Sequence, residues 1–443
     1  MRRAAFPTRK DLRWVDGLVK SIRPHVHVRR KDNLLILMPN EAYRLNETGV
    51  HLLVETLAGK RINRVVDDMI PKPNQGIDTM REIHDFFCAI RALVMGCMGE
   101  GRGWRAVEQT PFQRGDSELP VLSEIAVTYK CNLSCKFCYA GCTCKSKPSD
   151  YEMSAGEVRK VLSKIRGEAE VPSVSFTGGE PTLRSDIFDL IRHACKVGLR
   201  VNLITNGTLI TPQVASRLRK SGLRSAQVSV EGPCAEIHDM LTGVAGSFDK
   251  ALNGIRALKD EGMYVHTNTT INGLNAGMVE GMVELAKSLG LPRLSMNMVM
   301  PCGTAGTGET AFRYRDIAGL VQSVRRKARQ AGIEFMWYSP TPYCMFNPIA
   351  GGLGSKSCAA CNGLLSVAPN GDVLPCSSLP DPVGNLLNED FEEIWFSEKA
   401  KAYRECRYAP LACQSCTKFD ICAGACPIYW NAFGCEELEG MAV

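Results

Sequence analysis

The stretch TYKCNLSCKFCYAG (residues 128–141) carries three cysteines, Cys131, Cys135 and Cys138, at spacings of four and three residues. Three thiols in so short a loop can all reach one iron–sulfur cluster. A cubane cluster has four irons, so three protein ligands leave one iron open to a small molecule that binds through nitrogen and oxygen atoms. The loop therefore indicates chemistry as well as electron storage. For the triplet alone, a zinc knuckle or a group of reduced structural thiols is the alternative.

The CxxxCxxC spacing, with Phe137 before the last cysteine, resembles the cluster loop of the radical S-adenosylmethionine (SAM) superfamily. The resemblance implies a 4Fe–4S cluster held by Cys131, Cys135 and Cys138, with Tyr139 beside the cofactor. It implies that the open iron chelates the amine and carboxylate of SAM. It also implies that the reduced cluster cleaves SAM to a 5′-deoxyadenosyl radical, which abstracts a hydrogen atom from a substrate.

Length and composition are those of a soluble protein with two or three domains, since 443 residues exceed one ordinary core. No run approaches the roughly 20 apolar residues of a membrane span, and the first residues lack the apolar core of a secretory signal. The net charge of +6 is too mild to support nucleic-acid binding by itself. Twenty cysteines without an export signal read as metal ligands in a reducing compartment. We therefore expect a cytoplasmic protein with no membrane or nucleic-acid partner.

The first 95 residues are predicted to form a winged-helix-like domain. Residues 26–46 read as strands around turns, and three helical periodicities follow up to residue 90. The segment Arg44-Leu45-Asn46-Glu47-Thr48-Gly49 resembles the PqqD-like peptide-recognition domain, which implies that a leader peptide adds a strand to the sheet edge. The alternative is a winged helix that only packs against the enzyme or contacts nucleic acid. Glycine-rich residues 96–120 are predicted to be a linker.

Strands and helices then alternate from residue 121 to residue 335. Six strands are predicted at 122–128, 171–177, 199–205, 224–230, 263–271 and 292–299. Ser154 with Glu157 forms a capping box, and Pro212 stands at the first position of a helix. Such alternation predicts an α/β fold with a parallel sheet. It matches the partial (βα)6 TIM-like barrel of radical SAM enzymes.

Short motifs follow four successive predicted strands. The cluster loop follows the first, Gly178-Gly179-Glu180-Pro181 the second, Thr205-Asn206 the third, and Ser229 with Glu231 the fourth. In barrels of this kind the reacting groups lie at the carboxyl ends of the strands. The GGEP element resembles that of radical SAM enzymes, which implies that Glu180 accepts hydrogen bonds from the SAM ammonium. By the same resemblance Ser229 and Glu231 contact the ribose. Thr242 stands where many members carry arginine, so no carboxylate contact is predicted there.

Residues 336–443 are predicted to be a cysteine-rich domain with two auxiliary 4Fe–4S clusters. The spacing of Cys361, Cys376, Cys413, Cys416, Cys422, Cys426 and Cys435 resembles the seven-cysteine pattern of SPASM domains. The resemblance implies that Cys361, Cys376 and Cys426 bind one cluster, with Cys358 or, alternatively, Cys344 as its fourth ligand. It assigns Cys413, Cys416, Cys422 and Cys435 to the other. Two zinc sites are the alternative, because C-x2-C pairs also suit zinc.

Four further residues have no assigned role. Cys142 and Cys144 follow the cluster loop, and they are candidates for extra ligands, redox thiols or members of a small-residue loop. Cys302 is a candidate hydrogen-atom donor or cluster contact. His238 is expected to be structural.

Together these features predict a radical SAM oxidoreductase that oxidatively modifies a ribosomally made precursor peptide by cross-linking, decarboxylation or epimerisation. Its expected partners are that peptide, whose leader binds the N-terminal domain, and a low-potential electron donor such as ferredoxin or flavodoxin. One alternative keeps the chemistry but takes a small-molecule cofactor precursor of porphyrin or quinone type. Another is a non-catalytic iron–sulfur electron carrier, against which the SAM motifs argue.

Overall fold

The computed structural model describes residues 8–39, 41–69, 77–95, 107–108, 117–142, 151–306 and 308–441. Residue contacts divide the chain into two units, residues 1–112 with 116–121 and residues 122–443 with 113–115. Most of the predicted linker, Cys97 and Cys144 lie outside the described residues. None of the helices in the described part of the chain combines the length and apolar character that crossing a bilayer requires.

The first unit is a small antiparallel sheet with four helices. The strands pair in the order β1 (Val26–Arg29), β2 (Leu34–Leu37), β3 (Glu41–Leu45) and β4 (Val107–Glu108). The helices are α1 (Trp14–Ile22), α2 (Glu47–Leu57), α3 (Ile62–Met69) and α4 (Ile77–Val94). Asn46 starts α2 because its side chain accepts a hydrogen bond from the Gly49 amide at 2.7 Å. The predicted strands and helical periodicities therefore form one core, in which Leu53, Val66 and Phe87 are fully buried.

A buried ion pair closes this unit. The side chain of Arg29 is 0% exposed and forms a bidentate ion pair with Asp32. Its Nε donates to Oδ1 at 2.8 Å and its Nη2 donates to Oδ2 at 2.6 Å. Its guanidinium also donates to the carbonyl oxygens of Leu119 (3.1 Å) and Pro120 (2.8 Å). Four of its five N–H groups thus donate within the protein, and each guanidinium nitrogen has at least one partner, as a buried charge requires.

Arg29→Met should lower the free energy of unfolding of this unit by about 3–5 kcal/mol, because Asp32 would remain buried without its partner. Arg30→Met is the matched control: Arg30 is 54% exposed and its pair with Glu55 should contribute less than about 1 kcal/mol. Hydrogen exchange of the β1 and β2 amides, followed by mass spectrometry, measures both. Equal loss of protection in the two variants would contradict the prediction.

The second unit is built on a ten-stranded sheet. Its strands are β5 (Leu122–Thr128), β6 (Ser173–Gly178), β7 (Arg200–Thr205), β8 (Ser225–Ser229), β9 (Tyr264–Ile271), β10 (Arg293–Met298), β11 (Glu334–Trp337), β12 (Leu364–Val367), β13 (Asp372–Leu374) and β14 (Gly384–Asn385). The spatial order is β11-β10-β9-β8-β7-β6-β5-β12-β13-β14. All pairs from β11 to β12 are parallel, and β13 and β14 add antiparallel hairpins. The carboxyl ends of β5 to β11 consequently share one edge.

Helices connect these strands. They are α5 (Ala155–Gly167), α6 (Ile187–Lys196), α7 (Pro212–Lys220), α8 (Ala235–Thr242), α9 (Ser247–Asp260), α10 (Met282–Ser288) and α11 (Tyr314–Gln330), followed by the short α12 (Phe391–Trp395), α13 (Glu398–Arg404), α14 (Leu411–Gln414), α15 (Phe419–Cys422) and α16 (Pro427–Phe433). The predicted capping box at Ser154 and Glu157 is confirmed, as is Pro212 at the start of α7.

The α/β fold with a parallel sheet is confirmed, and each of the six predicted strands is present with ends within two residues. The six predicted strands leave out the next one in the chain. A seventh strand, β11, pairs in parallel with β10 and buries Trp337 completely. It has only four residues, too few for a periodicity to stand out.

Candidate functional site

The three cysteines of residues 131–138 lie together just beyond the end of β5. They are close enough for their charges to act on one another, although burial is the main reason that the pKa values of Cys131 and Cys135 are raised. Cys138 differs: a hydrogen bond from Cys142 and the backbone amides of residues 140–142 lower its pKa to about 6. Amides that surround a sulfur favour the thiolate, which is the form that binds iron. The loop therefore brings three cysteines near one another, and one of them favours the thiolate form.

The end of α8 holds one side of this loop. The Ser134 amide donates to the Thr242 carbonyl at 2.9 Å, and the Lys136 amide donates to the Leu241 carbonyl at 2.9 Å. Gly243 turns the chain away with φ +72°, and a Cβ there would lie 2.9 Å from the Ser134 oxygen. Thr242, which departs from the family pattern, thus serves the site through its backbone.

Thr304 holds the other side, and sequence reasoning missed it. Its hydroxyl accepts from the Cys138 amide at 2.7 Å and donates to the Cys135 carbonyl at 2.9 Å, while its own amide donates to the Cys138 carbonyl at 2.9 Å. The preceding Gly303 lies so close that a Cβ would be 2.0 Å from the Cys138 oxygen. The segment after β10 therefore fixes two of the three proposed ligands.

The two glycines that end β6 lie directly against the backbone beyond β5. The Gly179 amide donates to the Thr128 carbonyl at 2.7 Å, and the Glu180 amide donates to the Lys130 carbonyl at 2.8 Å. A Cβ at Gly178 or Gly179 would lie 2.1 or 2.2 Å from those same carbonyl oxygens. Only glycine fits at either position.

Glu180 joins the ends of β6 and β7. Its carboxylate is fully buried; Oε1 accepts from the Thr182 amide (3.0 Å) and the Thr205 hydroxyl (2.8 Å), and Oε2 accepts from the Asn206 amide (2.8 Å). The Thr182 hydroxyl adds a further donor to Oε1. Burial raises the pKa of Glu180, whereas these donors lower it. Most of its acceptor capacity is used inside the protein, and Oε2 keeps room for one more donor.

Asn206 connects this arrangement to the first cysteine. Its side-chain amide lies 3.9 Å from Cys131 Sγ and donates to Asn132 Oδ1 at 2.9 Å. Asn132 in turn donates to the Thr208 hydroxyl at 2.9 Å. Tyr139, predicted beside the cofactor, donates to the Gly178 carbonyl at 3.5 Å. Asn132 is a second residue that the motifs did not identify.

The predicted ribose residues lie at the end of β8. Ser229 is half-buried, and Glu231 is 4% exposed and accepts from the Thr270 amide at 2.8 Å. Burial raises the pKa of Glu231 to about 8. The ring of His238 accepts from the Glu231 amide at 3.1 Å, so this histidine positions the backbone of the segment.

Two groups of cysteines lie in the C-terminal part of the second unit. In the first group, the charges of Cys358 and Cys426 raise the pKa of Cys376, and the charge of Cys358 raises the pKa of Cys361. Burial is the main cause of the raised pKa of Cys376. Tyr408 hydrogen-bonds to Cys358 and donates to Cys406 Sγ at 3.4 Å. The second group contains Cys413, Cys416, Cys422 and Cys435, whose charges act on one another, and the amide of Tyr343, the neighbour of Cys344, donates to Cys422 Sγ at 3.4 Å.

Across the described ranges, no three cysteine, histidine or acidic side chains lie close enough to hold a single metal ion.

Comparison with known proteins places the chain in a family. The radical SAM superfamily model matches residues 125–301, and the SPASM iron–sulfur cluster-binding domain model matches residues 358–417. An AdoMet-dependent heme synthase of Oleidesulfovibrio alaskensis is 30% identical over 323 residues, which cover 67% of this chain and 80% of that protein. The chain belongs to the radical SAM superfamily. The chain is therefore that of an enzyme, not of a simple electron carrier.

Other relatives of this radical SAM protein act on peptides, according to their names. A PqqA peptide cyclase of Rhodopseudomonas palustris is 29% identical over 329 residues, covering 70% of this chain and 82% of that protein. The crystal structure of Streptococcus suis SuiB bound to the precursor peptide SuiA matches with a TM-score of 0.67 and 17% identity, covering 93% of this chain and 99% of that chain. At this identity the match supports the fold alone.

Thr304→Val should weaken the binding of SAM to the radical SAM protein roughly tenfold, because the Cys138 amide and the Cys135 carbonyl lose their partner and the cluster loop loosens. Thr304→Ser keeps the hydroxyl and should bind SAM as the parent does. Electron paramagnetic resonance of the reduced enzyme, titrated with SAM, gives both affinities. Identical titration curves for the two variants would contradict a role for the hydroxyl.

Glu231 should make stability fall as pH rises. Its folded pKa of about 8 lies above the ordinary value of 4.5, so its contribution is complete below about pH 4.5 and is lost as pH rises through 8. Between pH 5.5 and 7.5, Glu231→Gln should flatten the slope of the unfolding free energy by up to ~1.4 kcal/mol per pH unit.

Thermal unfolding of the anaerobic, SAM-free enzyme over this pH range measures the effect. Glu236→Gln, at an exposed glutamate in α8, is the control and should leave the slope of the parent unchanged. A slope in Glu231→Gln as steep as that of the control variant would show that Glu231 is not the group responsible.

Proposed function

We propose that this radical SAM enzyme oxidatively modifies a ribosomally made precursor peptide. The observation that carries the proposal is the separate N-terminal unit, a small antiparallel sheet with helices, attached to a radical SAM and SPASM chain. A unit of this build suits a leader peptide, which would add a strand to an outer edge of the sheet and so gain affinity from main-chain hydrogen bonds. Similarity to a PqqA peptide cyclase supports the same substrate class.

The first cluster would be held by Cys131, Cys135 and Cys138. A 4Fe–4S cluster with bound SAM supplies a 5′-deoxyadenosyl radical. The protein's part is to place SAM: the backbone at Gly178 and Gly179 approaches closely, and the remaining acceptor position on Glu180 Oε2 can take the SAM ammonium. Ser229 and Glu231 would take the ribose hydroxyls, with Glu231 oriented by Thr270.

Two auxiliary 4Fe–4S clusters would complete the enzyme. The charge of Cys358 acts on Cys361, Cys376 and Cys426, and this favours Cys358 over Cys344 as the fourth ligand of that cluster. Cys413, Cys416, Cys422 and Cys435 would bind the other. Cys302 precedes Gly303, which packs against the Cys138 carbonyl, and the charge of Cys302 also acts on Cys426. A net two-electron oxidation of the substrate would give these clusters their role, with a low-potential ferredoxin or flavodoxin as donor.

A small cofactor precursor of porphyrin type is the second candidate substrate. The identity to a heme synthase favours it, since that relative is as similar to this chain as the peptide cyclase is. Under this hypothesis the N-terminal unit is only a scaffold, and loss of a leader peptide would leave the activity of the enzyme unchanged.

Co-expression with a short peptide encoded beside the enzyme should change the mass of that peptide, and Cys135→Ala should abolish the change. Mass spectrometry of the peptide with and without its leader segment measures the result, and modification should need the leader. Cys195→Ala, at a half-buried cysteine outside the ligand groups, is the matched control and should keep the activity. An unchanged peptide, together with 5′-deoxyadenosine formation that responds to a porphyrin instead, would replace the peptide by the small molecule.

A further inference from the structure

A network of four polar side chains joins β9 and β10 near their carboxyl ends. Asn268 Nδ2 donates to Asn297 Oδ1 at 2.7 Å, and the Ser295 hydroxyl lies 3.0 Å from Asn268 Oδ1. The Thr270 hydroxyl lies 3.5 Å from Oδ1 and 3.4 Å from Nδ2 of Asn297. Across the two strands Asn268 pairs with Ser295 and Thr270 pairs with Asn297, so all four side chains of this carboxamide network lie on one face of the sheet.

The carboxamide network lies beside the proposed ribose site. Ser229, at the end of β8, pairs with Asn268 on the neighbouring strand, and the Thr270 amide donates to Glu231 Oε2 at 2.8 Å. Asn268, Thr270 and Asn297 are half-buried, which leaves them within reach of a molecule bound at this edge of the sheet. None of the residues assigned to SAM belongs to the network, although it adjoins them.

Each carboxamide of the network keeps an N–H group that no hydrogen bond within the described residues uses. A carboxamide has two N–H donors and one oxygen. Asn268 uses one N–H on Asn297, and Asn297 uses at most one, on the Thr270 hydroxyl. Turning both carboxamides over reverses the bond between them and leaves the same count. Two neighbouring N–H groups are thus available to a bound molecule.

His266 gives a second indication that this face meets a polar ligand. It lies two residues before Asn268 on β9, so both side chains point to the same side of the sheet. Its ring is 7% exposed, and Nε2 lies 3.3 Å from Gln227 Oε1. The other ring nitrogen, Nδ1, is buried and has no hydrogen-bond partner in the described part of the chain. Buried polar atoms in proteins have partners, and a polar molecule lying along β9 would supply one.

The chemistry of the carboxamide network selects a neutral hydrogen-bond acceptor. None of its four side chains carries a charge, whereas proteins bind carboxylates and phosphates mainly through arginine and lysine. Glu231, which the Thr270 amide holds, would also repel an anion when it is ionised. The apolar ring of a porphyrin would leave the free N–H groups without partners.

The carbonyl oxygen of a peptide bond meets these conditions. It is neutral and accepts up to two hydrogen bonds, which matches the two free N–H groups. In an extended peptide, groups on the same side of the chain repeat every two residues, or about 6.8 Å. His266 and Asn268 are separated along β9 by the same two residues. A peptide that runs alongside β9 could therefore meet both.

We propose that the free N–H groups of Asn268 and Asn297 bind a main-chain carbonyl oxygen of the substrate peptide. The two asparagines then act as specificity-determining residues, because they fix which residue of the peptide faces the SAM site. They bind and orient the substrate, and they take no part in making or breaking a bond. The inference rests on the proposed function, since it requires a peptide substrate.

Asn297→Leu tests the inference because it keeps the size of the side chain and removes its N–H groups. The assay uses the full-length, cluster-loaded enzyme and the short peptide encoded beside it. KM for the peptide should rise about tenfold, whereas kcat should stay within about twofold, as expected when a binding contact is lost. Asn268→Leu should give a similar rise. The double variant should lose much less than about a hundredfold, because both donors serve one oxygen.

Asn202→Leu is the matched control. Asn202 is a half-buried carboxamide on β7, at the level of Ser225 and Tyr264 on the next two strands. That level is four residues, or about 13 Å, closer to the amino ends of the strands than Asn268 is. The control variant should therefore keep the KM of the parent. Asn297→Ala repeats the assay should the leucine variant not fold.

Two further measurements distinguish substrate binding from other roles. Titration with SAM, followed by electron paramagnetic resonance, should give the same affinity in Asn297→Leu as in the parent. Weaker SAM binding would assign the network to the cofactor and overturn the inference. The KM difference between parent and Asn297→Leu should persist with every alanine variant of the peptide, because each keeps its main-chain carbonyls. An alanine variant that abolishes the difference would make a side chain the ligand and overturn the inference as well.

The inference and the proposed function fail on different results. A parent that modifies the peptide, while Asn268→Leu and Asn297→Leu keep its KM, would overturn this inference alone. A parent that leaves the peptide unchanged would remove the proposed function, and this inference with it.

Discussion

The buried carboxylate of Glu180 is the constraint on which the rest of the site depends. A carboxylate without solvent needs donors for its lone pairs, and here they come from Thr182, Thr205 and Asn206. The first belongs to the turn after β6 and the other two to the end of β7, so satisfying one charge fixes the relative positions of two strand ends. Asn206 then reaches Cys131, and the arrangement extends to the cluster loop.

The same edge explains why glycine is needed where it is found. The amides of Gly179 and Glu180 bind carbonyls just beyond β5, and Gly303 approaches the Cys138 carbonyl from the far side. Side chains at these positions would push the backbones apart and leave the hydrogen bonds unmade. The cluster loop is consequently held by backbone from β6, α8 and the segment after β10, and its cysteines need not supply the rigidity themselves. Such preorganisation lowers the cost of bringing three thiolates together.

The sequence predicted the fold and the motifs that lie at the strand ends, and it missed residues of the candidate site whose contacts join distant segments. Periodicity located six strands, because each is long enough to show its pattern, but β11 is too short. Motifs identified the glycines and Glu180 because adjacent residues share one role. Thr304 and Asn132 were not predicted, because their hydrogen-bond partners lie 166 and 74 residues away in the sequence. Cys344 was considered for the first auxiliary cluster on spacing alone, whereas the fold brings the backbone of its neighbour Tyr343 to Cys422, an expected ligand of the second.

The chain is similar both to a heme synthase and to a peptide cyclase, and the length of the aligned region indicates why. The second unit spans about 320 residues, which is the length over which the heme synthase aligns. An alignment of that size has room for the sheet, the SAM site and the cysteine-rich region, but not for a further domain of a hundred residues. Similarity of this extent therefore supports radical SAM chemistry but does not identify the substrate. The proposed leader peptide would bind the N-terminal unit, whose antiparallel sheet has outer strands β1 and β4 and whose buried core is built from residues of that unit.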